Sequence, residues 1–558
     1  MLAVAALLLL GSSAAPSYAA MRFVDTTKES GIVFQPVCGA VPGEKGWLIE
    51  SMGSGAAWLD YDGDGNLDLY LVNGSSLDRP AGKGEPNKLF QGDGKGGFKD
   101  VTSAAGVGHR GWGFGVAAGD YDNDGDTDLF VANREANVLY RNDGDGTFTD
   151  VTAKAGVGPS PWSSSAAWVD IDRDGDLDLY VANYMESDTS KIPRRGDKAA
   201  AQGSCGYHGI QVYCGPRGRR PEQDQLFRND GDGKFTDITR SSGVHLETPR
   251  YALGVVSADY DNDGDIDLYV ANDSVVNSLW RNDGSGKFTD VGVVTLTALN
   301  SNGRAQAGMG TDFGDYNGDG WLDLVVTNFA HDLNTVYKSL AGKFFVDESK
   351  LAGLGVTNLM LSWGAGFRDF DQDGDLDLLI ANGHIYPQVD DYELGTSFYQ
   401  VNHMFENAGG RFKEVGATSG PGLALTRSFR AAAFADYDND GDIDVLLTTL
   451  DKPPVLLRNE TPSPGNRLQI ALVGTRSNRD GNGARVAVTF GGKTVIREFK
   501  GGGSYLSTSD PRIHVGLGSA DKAERVEIRW PSGAVDVLEN VPANRAITVR
   551  EGAGIEKP

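Results

Sequence analysis

The chain has 558 residues, 40% of them hydrophobic, which allows large cores and more than one domain. A formal charge of −26 argues against nucleic acid as a partner, and 76 glycines against 21 prolines make a turn-rich chain that is neither collagen nor proline-rich linker. Three cysteines are too few for a disulfide scaffold.

Residues 1–19 read as a secretory signal, with "LAVAALLLL" as apolar core and Ser17-Tyr18-Ala19 offering small residues for cleavage before Ala20. The usual basic residue at its start is missing, so an upstream start codon is expected. No later run reaches the length of a membrane span. The mature chain is therefore expected to be exported: secreted, periplasmic or at the cell surface.

The stretch "DYDGDGNLD" at 60–68 puts four aspartates into nine positions. Two carboxylates about 5 Å apart at an effective dielectric near 20 repel by roughly 3 kcal/mol, so such a loop lies open to water or encloses a cation. It returns as "DYDNDGDTD" at 120, "DIDRDGDLD" at 170, "DYDNDGDID" at 259, "DYNGDGWLD" at 315, "DFDQDGDLD" at 369 and "DYDNDGDID" at 436. A small or apolar run precedes each copy, and a strand-like run such as "LYVAN" follows it. Next comes a hairpin pattern, "LYRNDGDGTFTDVT" at 139–152 with relatives at 89, 226 and 279. One repeat is thus four strands: A, acidic loop, B, connection, C, tight turn, D. Units of this kind predict propeller blades.

Seven acidic loops and seven C strands are present, the last C strand being "VLLRN" at 455–459. Only six D strands follow a C strand. The seventh stands at the other end, as "FVDTTKESGI" at 23–32, which mimics "FTDVTAKAGV" at 148–157. The expected fold is all-β: a seven-bladed β-propeller over 20–459, closed by its N-terminal strand. "ETPSPG" at 460–465 is a linker by composition, 466–551 holds short alternating strands expected to form a small β-sandwich-like domain, and 552–558 is a tail.

Positions 1, 3, 5 and 9 of each loop carry oxygen donors, and position 6 is glycine. The candidate ligands are Asp60, Asp62, Asp64 and Asp68; Asp120, Asp122, Asp124 and Asp128; Asp170, Asp172, Asp174 and Asp178; and Asp259, Asp261, Asp263 and Asp267. The later copies add Asp315, Asn317, Asp319 and Asp323; Asp369, Asp371, Asp373 and Asp377; and Asp436, Asp438, Asp440 and Asp444. Hard oxygen donors at this spacing suit calcium, which accepts six to eight oxygens in flexible geometry. The glutamate that closes a helix–loop–helix calcium loop at position 12 is absent; Leu71 stands there in the first copy, so Asp68 must close the shell. Up to seven structural Ca²⁺ would bring the formal charge from −26 to −12.

These motifs resemble the FG-GAP/VCBS repeats of integrin-like propellers. Residues 466–551, with "VGTRSNRDGNGARVAV", "GGGSYLSTSDPRIHVGLG" and "VEIRWPSGAV", look like the ASPIC/UnbV module. With "ANGHIYP" at 381–387, the chain resembles the cartilage-acidic-protein-like family and its bacterial secreted members. The resemblance implies a calcium-binding extracellular or periplasmic propeller and no settled reaction.

If calcium loops join A to B, the B–C and D–A connections share the opposite face, which receives the insertions 33–52, 73–87, 184–224 and 383–401. Long loops on a rigid scaffold commonly carry function. Trp112, Trp162 and Tyr251 each stand eight residues before an acidic loop, which places them near the channel mouth, free to stack on sugars or to pack between blades. His384, Tyr386, Asp390 and Asp391 offer acid–base or metal chemistry against the reading of a satisfied loop histidine. Cys205 and Cys214 are predicted to form a disulfide, the alternative being a metal site with His208; Cys38 is left unpaired. Two functions remain. One is a binding or adhesion module for protein or glycan. The other is a metal-assisted carbohydrate lyase, dehydratase or hydrolase on the same face.

Overall fold

The computed structural model describes residues 20–79, 82–158, 161–197, 205–462 and 464–556. The signal-like segment 1–19 lies outside the described residues. No helix among them is long and apolar enough to cross a membrane.

The described residues form repeated antiparallel four-stranded sheets in the order A-B-C-D. The first is Ala56–Leu59, Asp68–Leu71, Lys88–Gly92 and Phe98–Asp100. Later A strands are Gly113–Gly119, Ser163–Val169, Ala252–Ala258, Thr311–Gly314, Ser362–Arg368 and Phe429–Ala435. In the last sheet, the place of D is taken by Phe23–Asp25, which pairs antiparallel with Val455–Asn459, Phe23 opposite Asn459.

The A strands are the most buried, since both faces and their neighbours are protein. They pack on one another in chain order, and Phe429–Ala435 packs in turn on Ala56–Leu59. Their small residues make this approach possible. A Cβ added at Gly55 would lie 2.7 Å from the Phe114 carbonyl oxygen of the next sheet and 2.2 Å from that of Leu506. Between sheets, apolar side chains of A, B and C interlock, as with Ala117, Phe130, Leu139, Trp168, Leu179 and Phe227.

After the last C strand the chain builds two more four-stranded sheets. One orders Ile513–Gly518, Asn466–Val473, Arg545–Arg550 and Gly554–Ile555, with a parallel pair between Asn466–Val473 and Arg545–Arg550. The other orders Lys493–Glu498, Arg485–Phe490, Lys522–Arg529 and Val535–Pro542. Alternation such as that of Arg485–Phe490 turns Val486, Val488 and Phe490 inward, where they meet Leu468, Ile470, Val526 and Val549 in one core.

This C-terminal module lies against the acidic-loop side of the repeats. Its segment 501–510 enters the centre and bonds the backbones of several A strands. Ser257 N–H donates to Gly501 O (3.0 Å), Thr311 N–H to Ser504 O (2.9 Å), Val116 N–H to Leu506 O (3.2 Å) and Thr508 N–H to Ala56 O (2.9 Å). Tyr505 and Leu506 are fully buried at its tip.

Candidate metal centres in the acidic loops

Each acidic loop turns on two left-handed residues. Position 6 is glycine throughout, with φ from 83° at Gly65 to 102° at Gly125. Position 4 is left-handed too: Asn123 (59°), Arg173 (60°), Asn262 (60°), Gln372 (62°) and Asn439 (56°), with glycine at 63 and 318. Sequence reasoning missed this second reversal although glycine or asparagine at five of the seven positions signals it; arginine at 173 and glutamine at 372 carry no such signal.

The turn draws the carboxylates inward. The position 1 aspartate accepts the N–H of the position 6 glycine, as from Gly65 to Asp60 (2.9 Å) and Gly125 to Asp120 (2.8 Å). The position 9 aspartate spans two elements: Asp68 accepts from Tyr61 N (2.9 Å) and from Gly92 N on strand C (2.8 Å). Asp128 does the same with Tyr121 (3.1 Å) and Asn142 (2.7 Å).

The remaining oxygens are left for a cation. Asp60, Asp62 and Asp68 each offer a ligand atom within 4.8 Å of the others, and so do Asp120, Asp122, Asp128; Asp170, Asp172, Asp178; Asp259, Asp261, Asp263; and Asp369, Asp371, Asp373. Within these loops the Oδ1 atoms of Asp60, Asp62, Asp122, Asp170, Asp172, Asp261, Asp369 and Asp436 are buried without a hydrogen-bond partner. Orphaned acceptors facing one another are untenable as anions, and a hard divalent cation satisfies them. Burial, reinforced by neighbouring aspartates, pushes Asp68 up to about 8 and Asp128 to about 9. A bound divalent cation inverts that trend.

The fifth loop differs. Asn317 Nδ2 donates to Asp323 Oδ2 at 2.7 Å, and Asp315 accepts from Asp319 N (3.0 Å) and Gly320 N (2.9 Å). None of its ligand oxygens is orphaned among the described residues. We expect calcium titration by calorimetry to resolve this loop as the weakest site. Asp319→Asn then shifts the melting temperature less than Asp122→Asn.

Neighbouring loops are joined to one another. Strand C ends in an asparagine that reaches into the acidic loop of the sheet before it: Asn142 to Tyr61 O (2.8 Å), Asn229 to Tyr121 O (2.8 Å), Asn282 to Ile171 O (2.7 Å), Asn407 to Tyr316 O (2.7 Å) and Asn459 to Phe370 O (2.9 Å). The recurring "RND" carried this signal unread. Position 4 reaches forward, Asn123 to Gly175 O (3.0 Å) and Gln372 to Gly441 O (3.0 Å), and Asn439 of the last loop meets Asn66 of the first (3.1 Å).

The C-terminal module docks on these loops directly. Asp120 N–H donates to Asp480 (2.9 Å), Asp259 N–H to Glu498 (2.8 Å) and Gly516 N–H to Asp369 (2.9 Å). Gln469 donates to Asp436 (2.6 Å), Arg485 to Gly320 O (2.9 Å) and Lys493 to Asp373 O (2.8 Å).

The expected ligand-binding aromatics are corrected by their burial. Trp112, Trp162, Tyr251, His384 and Tyr386 are all at most 6% exposed and belong to one core with the insertions and the module's Tyr505 and Leu506. Trp162 packs on Phe114 and Tyr184, with ring centroids 5.0 and 5.1 Å away, so no ring face is left for a sugar. The insertions that were to frame an open mouth instead fold over it. Trp162→Ala is therefore expected to destabilise by about 3–5 kcal/mol, read by chemical denaturation. His384 accepts Tyr386 N–H at Nδ1 (3.0 Å), and burial holds its pKa down at about 3. Asp390 and Asp391 are exposed, and Asp390 accepts Phe398 N–H (2.8 Å), so no acid–base pair with His384 forms. Cys205 and Cys214 are joined in a disulfide, which removes them as metal ligands beside His208. Cys38 is free, half-buried, and donates to Met52 O (2.7 Å).

An all-β chain of repeated four-stranded sheets with aspartate-lined A–B loops, several of which could hold a metal ion, defines a class of repeat protein. The FG-GAP-like repeat model matches residues 60–131, 120–181, 211–270, 259–326, 315–380 and 369–447, and the ASPIC and UnbV model matches 474–556. The chain belongs to the FG-GAP-repeat family and ends in an ASPIC/UnbV domain. It is similar to cartilage acidic protein 1 of Mus musculus, 26% identical over 329 residues covering 56% of this chain and 46% of that protein. The Homo sapiens protein is 26% identical over 347 residues, covering 59% and 48%. The chain thus spans about half the length of these relatives. Among solved structures, an Agrocybe aegerita lectin that recognises non-reducing terminal N-acetylglucosamine aligns with a TM-score of 0.39 and 15% identity over 72% of this chain and 87% of its own. A likeness that distant bears on neither site nor partner.

Proposed function

We propose that the chain is an exported, calcium-stabilised binding module: a seven-bladed propeller, closed by its N-terminal strand, that recognises a protein or glycan partner on its insertion side. Closure is supported by the pairing of Phe23–Asp25 with the last C strand and by the bond from Asn439 to Asn66. Calcium is supported by the orphaned aspartate oxygens and by a donor set made only of oxygen.

The observation that carries the choice of face is the position of the ASPIC/UnbV module. It covers the acidic loops and fills the centre from that side, leaving the insertion side open to a partner. There, Val41, Val356, Leu359 and Tyr392 are exposed apolar residues on neighbouring connections. The test is a glycan and protein binding screen in calcium, followed by Leu359→Ala and Tyr392→Ala. Both variants are expected to weaken binding at least about tenfold while the melting temperature stays within about 2 °C, since exposed sites carry little stability. A partner cross-linked to the module instead would overturn the choice of face.

A further inference from the structure

We infer that calcium in the acidic loops is what holds the ASPIC/UnbV module docked and its 501–510 segment in the centre. The loops would then form a calcium-dependent docking surface whose occupant is part of the same chain. This goes beyond partner binding but rests on the reading of the loops as calcium sites.

The argument is one of like charge. An interface to an acidic face is expected to bring cations. This one does so through Arg485, Lys493 and Arg497, and through Arg467 and Arg512 on the seventh loop. Yet it also presses carboxylates onto loops already crowded with them. Asp480 Oδ2 accepts the N–H of Asp120, the first ligand residue of the second loop, and Glu498 Oε1 accepts that of Asp259 in the fourth (2.9 and 2.8 Å). Glu498 is buried, and its second oxygen, Oε2, has no hydrogen-bond partner. Arg485 stands 3.7 Å from that oxygen, a loose pair for a carboxylate so enclosed.

With the loops metal-free, each of these contacts adds a sixth carboxylate to a loop that already holds five aspartates. A divalent cation in each loop offsets two of those charges, and the repulsion that docking meets falls accordingly. The cation also fixes the backbone N–H groups that Asp480 and Glu498 bond. The first loop, by contrast, makes no hydrogen bond to the module from residues 60–68 among the described residues. Calcium there serves its own sheet.

Release would draw Tyr505 away from Trp363, whose ring it meets edge-on at 4.9 Å, and open the centre. Calcium would therefore set whether that channel is filled.

The experiment uses the full chain. Small-angle scattering and acrylamide quenching of tryptophan are followed during calcium titration, with circular dichroism reporting the sheets. Chelation is expected to increase the maximum dimension and the quenching. In saturating calcium, Asp122→Asn and Asp261→Asn are expected to do the same, while Asp62→Asn in the first loop leaves the module docked. The double variant D480N/E498Q removes the repulsion and is expected to lower the calcium concentration for half-docking about tenfold. If chelation unfolds the sheets as well, the variants in calcium decide. Equal behaviour of Asp62→Asn and Asp122→Asn, or an unshifted midpoint in D480N/E498Q, would overturn the inference. Calorimetry separates the two readings: no calcium uptake removes the calcium assignment itself, whereas uptake without any change in dimension removes only the coupling.

Discussion

In excess chelator the protein is expected to melt about 10–20 °C below its temperature in 10 mM calcium. Extracellular sites of this ligand type bind at about 10⁻⁴ to 10⁻³ M, so each filled loop adds roughly 1.4–2.7 kcal/mol by mass action. Six loops with orphaned oxygens then contribute on the order of 8–16 kcal/mol. Unfolding some 440 residues carries an entropy of about 0.9 kcal/mol/K, which converts that range into the stated shift. The loops share their stabilisation, because each C-strand asparagine ties one sheet to the loop before it. Differential scanning calorimetry with calcium and with EGTA reads the effect; coincident transitions would remove calcium from the account.

The second large effect is a reversal of pH dependence between the two forms. Without metal, burial pushes Asp68 to about 8, Asp128 to about 9 and Asp323 to about 8, and Asp178, Asp267, Asp377 and Asp444 well above the ordinary carboxylate range. A carboxyl whose folded pKa is raised stabilises the fold fully below its unfolded value near 3.8. That contribution is lost as pH climbs through the folded value. The chelated protein is therefore expected to lose stability continuously as pH rises, its melting temperature falling by about 10 °C or more between pH 5 and pH 8.5. In saturating calcium the sign inverts, because the ligands must be ionised to bind and protons compete with the metal. There the melting temperature rises from pH 5 towards neutrality. Paired melts across this range test the point, and a chelated protein that grows more stable from pH 5.5 to 8.5 would refute it.

Much of the molecule was legible as written. The acidic nonapeptide recurs with glycine at one place, and a local pattern repeated that often dictates a local turn: the reversal at Gly65 and the inward carboxylates of Asp60 and Asp62. Alternating runs dictated the strands, and the likeness of 23–32 to 148–157 gave away the partner of Val455–Asn459. The C-terminal strands followed from the same alternation. What the chain did not spell out are contacts between segments hundreds of residues apart. Trp162 and Tyr251 look like channel-mouth rings until the insertions and Tyr505 close over them, since burial depends on what arrives from elsewhere. Asp480, in a turn, and Glu498, at the end of a strand, read as ordinary surface acids, and only docking sets them on the second and fourth loops. Short-range periodicity determines elements because the backbone repeats with it. Which faces meet is decided by shape and charge summed over the whole fold, and no local window contains that sum.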